Sequence, residues 1–234
     1  MTPVSSLLLL SFLFLFASCS KPFPDSPNIL LLFLNRFVST NSSAQTSSGT
    51  TPSSGSSSTT TADLRKFIFL TQTTTQGNFG NVSNLDVICS SQKNAIFASL
   101  PGTGSDYRAM VVSTTRRACT TPNCTNPSEN LNWVLAANTI YYRSDAAILF
   151  TTNAAGIFPF GNLQNAFTTS ASDQFWTGLG SDWITTFTCN TDWISTSSLI
   201  DGASGKGGVT NSDSISVFGG NFCNSNLKFL CVRN

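Results

Sequence analysis

In a chain of 234 residues, 12 lysines and arginines stand against 11 aspartates and glutamates, and histidine is absent. A near-neutral chain offers no broad field for nucleic acid or an anionic membrane surface. The missing imidazole removes the commonest general acid/base, metal ligand and pH switch, so no metal or cofactor is expected and a Ser–His catalytic pair is impossible.

Residues 7–17 read LLLLSFLFLFA. That run suits the apolar core of a signal peptide and is shorter than the roughly 20 residues that span a bilayer. Ala17 and Ser18 then lead into Cys19. This junction resembles a bacterial lipobox of the relaxed kind found in spirochaetes. The resemblance implies that residues 1–18 are removed and that Cys19 carries the lipid, which would be the chain's one contact with the membrane. A second apolar run at residues 29–34 (ILLLFL) is too short to span; it either lies at the lipid surface or adds a strand. Residues 19–62 form the anchor and its tether, and 39–62 contain only Ser, Thr, Asn, Ala, Gln, Gly and Pro. Such a stretch cannot build a core and is expected to be disordered, with an average reach of roughly 25–30 Å and about 80 Å when fully stretched.

From Asp63 onward the texture changes, and ten basic residues balance ten acidic ones. Short apolar runs at residues 67–70, 109–112, 147–152, 175–179, 214–218 and 227–232 are separated by Gly, Asn, Ser and Thr, which predicts strands. One helix is predicted early. Ser83 would cap it, Asp86 would occupy its third position, and Leu85, Ile88, Cys89, Gln92 and Ile96 follow at helical spacing. Pro101-Gly102 bounds it. Residues 63–234 are therefore expected to form one β-rich α+β domain with a single clear helix and long loops, large enough for one buried core. Six cysteines fall within it: Cys89, Cys119, Cys124, Cys189, Cys223 and Cys231. Fifteen pairings are possible, and an oxidising compartment is implied.

The order of landmarks is informative. Cys89 lies on the early helix, Phe175-Trp176-Thr177-Gly178-Leu179 at mid-domain, then Cys189, and Cys223 and Cys231 close the chain within a terminal KFLCV. This order resembles the C-type-lectin-like (endostatin-like) fold. Together with RAMVVSTTRRAC at residues 108–119, NWVL at 132–135 and IYYR at 140–143, it resembles the leptospiral endostatin-like outer-membrane lipoproteins. The resemblance implies nested disulfides Cys89–Cys231 and Cys189–Cys223, with Cys119–Cys124 as a local clip. In the chain-entropy model these loops are worth roughly 5, 4 and 2 kcal/mol. It also implies display at the outer membrane, exposed to the outside of the cell. Implied partners are host extracellular proteins: laminin, fibronectin, complement regulators or plasminogen.

The calcium triplets of sugar-binding lectins (Glu-Pro-Asn, Gln-Pro-Asp, Trp-Asn-Asp) do not occur, and GASGKGG at residues 202–208 lacks the spacing of a phosphate loop. Asp173, Asp182, Asp192 and Glu129 are the carboxylates that a hydrolase would have to pair; caps, turns and surface charge are the expected use of scattered acids, and no catalytic residue is assigned. Binding is the expected activity. Its candidate contacts are Trp183, Trp193, Tyr141, Tyr142, Arg116 and Arg117, the aromatic and arginine side chains that interfaces favour, while Trp176 belongs to the core. The contact surface is expected in the loop region bounded by Cys189 and Cys223, beside Asp182-Trp183. A calcium-independent glycan-binding module is the second expectation; a structural envelope protein or a carboxylate hydrolase would come after it.

Overall fold

The last strand in the chain lies at the centre of the sheet. A computed structural model describes residues 63–160 and 163–234; the signal peptide, Cys19, the run at 29–34 and the tether lie outside the described residues. The strands are β1 (Lys66–Leu70), β2 (Tyr107–Ala109), β3 (Ile140–Arg143), β4 (Ile148–Thr151), β5 (Gln174–Trp176), β6 (Asp201–Gly202), β7 (Ser204–Lys206), β8 (Asn221–Phe222) and β9 (Lys228–Arg233), with one α-helix, α1 (Val82–Ala95). Seven strands form a sheet in the order β4-β3-β1-β9-β5-β7, and β2 also pairs with β9. β1 runs antiparallel to β9 along one edge. The other edge of β9 is shared, with β5 parallel at Lys228 and Phe229 and β2 antiparallel from Cys231 to Arg233. A small second sheet pairs β6 with β8.

Successive strand side chains point to opposite faces. Phe67, Phe69, Phe229, Cys231 and Trp176 therefore meet Val82, Leu85 and Cys89 of α1 in one apolar cluster. Ile68, Leu230, Val232 and Phe175 enter the other, with Tyr141, Phe150 and Phe158. Both faces of β1 and β9 are covered, which is why their sequences read as unbroken apolar runs. The fold is thus α+β, β-rich with one α-helix among the described residues.

Three of the predicted elements differ. The strand expected at 109–112 is β2, which ends at Ala109. The cap of α1 is Asn81, whose side chain accepts the Ser83 N–H (3.0 Å). Ser83 is already inside the helix, and Asp86 turns away from the helix end to meet Arg116 and Arg108. Residues 214–218 form no strand: a single tight turn occupies Ser212–Ser214, Ile215 is buried, and Phe218 points fully into solvent.

Three disulfides brace the domain. Cys89–Cys231 ties α1 to β9, Cys189–Cys223 staples the long loop, and Cys119–Cys124 closes a five-residue step. These are the pairs implied by the resemblance.

Candidate functional site

Four of the six side chains expected to touch a ligand are buried, and the other two are half-buried and already engaged. Trp183 lies under Phe158 (ring centroids 4.7 Å apart) and donates its indole N–H to the Phe158 carbonyl at 3.2 Å. Trp193 stacks on Phe79 at 4.6 Å, meets Trp176 edge-on, and donates to the Val112 carbonyl at 2.7 Å. Tyr141 is enclosed beside Phe150, and burial pushes its phenol up to about 12. Arg116 is 1% exposed; its guanidinium grips Asp86 through both terminal nitrogens (3.0 and 2.6 Å) and donates to the Ala109 carbonyl. Arg117 donates to the Glu129 carbonyl (3.1 Å). Tyr142 packs on Phe67 under the Arg65 guanidinium. The contact role expected of Trp183, Trp193, Tyr141 and Arg116 is therefore corrected to a core role: all four side chains are buried, both indole N–H groups and the terminal nitrogens of Arg116 are bonded inside the domain, and the Arg116 Nε is enclosed without a partner among the described residues.

The four carboxylates a hydrolase would need each hold local structure. Glu129 accepts from the hydroxyls and backbone N–H groups of Thr120 and Thr121, which hold it down at about 2. Asp192 accepts from the Thr114 N–H and hydroxyl. Asp173 pairs with Lys228 at 2.8 Å, and Asp182 accepts the Ile184 N–H. A hollow of about 270 Å³ contains the Asp173–Lys228 and Arg143–Asp145 pairs, whose charges cancel within it.

What the sequence did not single out is a set of exposed apolar side chains. Phe187 (62% exposed), Ile194 (64%), Leu199 (89%), Phe218 (102%) and Phe222 (55%) all fall in or beside the segment stapled by Cys189–Cys223. They account for five of the eleven exposed large apolar side chains among the described residues, a concentration that scattered surface residues do not show.

Phe187, Phe218 and Phe222 stand on hydrogen-bonded backbone. The Phe187 carbonyl accepts the Ala203 N–H (2.7 Å), while the neighbouring Thr186 N–H donates to the Gly178 carbonyl. Phe218 sits at the tip of a turn closed by Gly220 N–H to Val217 carbonyl (3.0 Å), and both glycines that follow it take positive φ. Gly220 cannot be replaced without cost, because a Cβ there would meet the Gly202 carbonyl at 2.5 Å. Phe222 is fixed by the β6–β8 pairing, opposite Asp201. At the start of the stapled segment, Cys189, Asn190, Thr191 and Trp193 all adopt left-handed φ. Each such residue costs on the order of 1–3 kcal/mol, offset here by the disulfide, the buried Trp193 and the Asp192–Thr114 bonds.

Two grooves flank Phe187. One, of about 450 Å³, is lined by Asp182, Thr186, Phe187, Val217 and Phe218. The other, of about 520 Å³, is lined by Thr186, Phe187, Asn190, Thr191, Ile200 and Asp201. Thr186 and Phe187 belong to both, so Phe187 forms the ridge between them. Each groove holds one carboxylate, Asp182 or Asp201, and neither forms an ion pair among the described residues. No three His, Cys, Asp or Glu side chains converge among the described residues. The arrangement offers a shaped apolar face with hydrogen-bonding hydroxyls.

No curated protein matches the chain. Residues 72–211, from just after β1 into the stapled loop, match the model of the family described as "Protein of unknown function (DUF1554)". That match covers more than half of the sequence, and the chain belongs to this family.

Proposed function

We propose that the chain is a binding module, displayed on the outer membrane through a lipid on Cys19, that engages host extracellular proteins through the face built around Phe187 and Phe218. The observation that carries this reading is the concentration of exposed phenylalanine, isoleucine and leucine on or beside a loop stapled by a disulfide and backed by the buried Trp176 and Trp193. Rigid display lowers the ordering entropy lost on association. The nested bridges and the central terminal strand are in keeping with a C-type-lectin-like domain of the leptospiral endostatin-like lipoproteins, and laminin, fibronectin, complement regulators and plasminogen are the partners to try first.

The test uses the lipidated full chain on intact cells and in detergent. Saturable binding to at least one of these proteins is expected, unchanged by a chelator because binding is assigned to apolar and hydrogen-bonding contacts. Cys19→Ala is expected to release the domain into soluble fractions while leaving its binding intact. Binding to none of them, or binding abolished by a chelator, would overturn the reading.

A further inference from the structure

The domain is neutral overall but not evenly so. From residue 180 to residue 223 there are four acids, Asp182, Asp192, Asp201 and Asp213, and one base, Lys206; the rest of the sequence from Asp63 carries nine bases and six acids. Asp192 is taken up by Thr114. Asp182 and Asp201 are half-buried, lie one in each groove beside the Phe187 ridge, and face no cation among the described residues.

We propose that this face takes an extended, basic segment of a partner protein: an apolar side chain that packs against Phe187 and Phe218, flanked on each side by a lysine or arginine that meets Asp201 or Asp182. The proposal rests on the reading of this face as the binding surface and names the chemistry of its partner. The argument turns on what happens to the two carboxylates when the face is covered. A purely apolar or acidic partner would desolvate both without a counter-charge, which is costly. The same two groups disfavour insertion into an anionic bilayer. A segment with cations on both sides of its apolar residue leaves each carboxylate paired, so the geometry rejects wrong partners as well as attracting the right one.

The experiment uses the full chain in mild detergent and two fluorescent synthetic peptides, read by anisotropy. The peptides share a central Ile-Phe and differ only in its two flanks, Lys and Arg in one, Glu and Glu in the other. The basic peptide is expected to bind about tenfold tighter or more, as two rim charge pairs would give. Asp182→Asn combined with Asp201→Asn should bring the ratio to within about twofold, and Asp201→Asn alone, at a carboxylate outside every ion pair of the described residues, should lower it about threefold. Phe187→Ser should weaken the basic peptide about tenfold. Equal or tighter binding of the acidic peptide, binding of neither, or a ratio untouched by the Asn variants overturns the proposal. If any of these occurs while Phe187→Ser still weakens binding to a matrix protein, the face remains the binding surface and only the basic segment falls. If Phe187→Ser with Phe218→Ser leaves matrix-protein binding unchanged, the face itself is wrong.

Discussion

At the scale of single residues, the pair Asp86–Arg116 ties α1 to the chain that follows β2. Asp86 accepts from Arg116 twice, from the Ala109 N–H at 2.8 Å and from Arg108 at 3.3 Å. Burial pushes its carboxyl up, but the guanidinium bonds, their charge and the backbone N–H outweigh burial and hold it below the ordinary 3.8. A depressed folded value means that its stabilisation is present above pH 4 and is lost as pH falls through that value. Asp86→Asn leaves a buried arginine short of its counter-charge and is expected to cost about 3 kcal/mol at pH 7. Urea unfolding of both proteins should show the difference shrinking as pH falls below about 4; a constant difference would contradict the assignment. The tryptophans and phenylalanines should separate just as sharply. Trp183→Ala or Trp193→Ala should lower stability by about 3–5 kcal/mol, whereas Phe218→Ser should change it by less than about 0.5 kcal/mol, both read by denaturant unfolding.

At the scale of elements, the Cys189–Cys223 bridge, Gly202 and Gly220 hold the loops down on Trp176 and Trp193: a Cβ at Gly202 would meet the Cys189 sulfur at 2.7 Å and the Trp176 ring at 2.8 Å. Replacing both cysteines by serine should cost up to about 4 kcal/mol and raise amide exchange across residues 186–222, with α1 and β9 still protected. Uniform loss of protection would mean that the bridge holds the whole domain and not the loop. The same elements mark how far the sequence could be read. β1 and β9 were legible because burial on two faces leaves a continuous apolar run, and α1 because its buried residues keep helical spacing. The sequence does not distinguish Asn81 from Ser83 as the cap of α1, because both residue types cap well. Trp183 and Trp193 follow aspartates in Gly- and Ser-rich stretches and so looked displayed. Their burial depends on left-handed backbone and on Phe158, Phe79 and Val112, all distant in sequence, and no local pattern encodes that. One signal for the displayed set was present: Phe218 immediately precedes Gly219-Gly220, a composition that places a side chain at a turn tip.

At the scale of the whole molecule, the domain separates stability from display. Its tryptophans and its nested bridges are inside, its exposed phenylalanines are gathered on the stapled loops, and the acids of that region give the loops a charge opposite to the rest. The central claim is that these loops are the contact surface. Hydrogen exchange of the full chain, alone and saturated with whichever of the proposed partners the binding test identifies, tests this most directly. Added protection is expected at residues 185–188, 194–203 and 216–222. Protection at β3, β4 or residues 114–132, with none on the stapled loops, would contradict it.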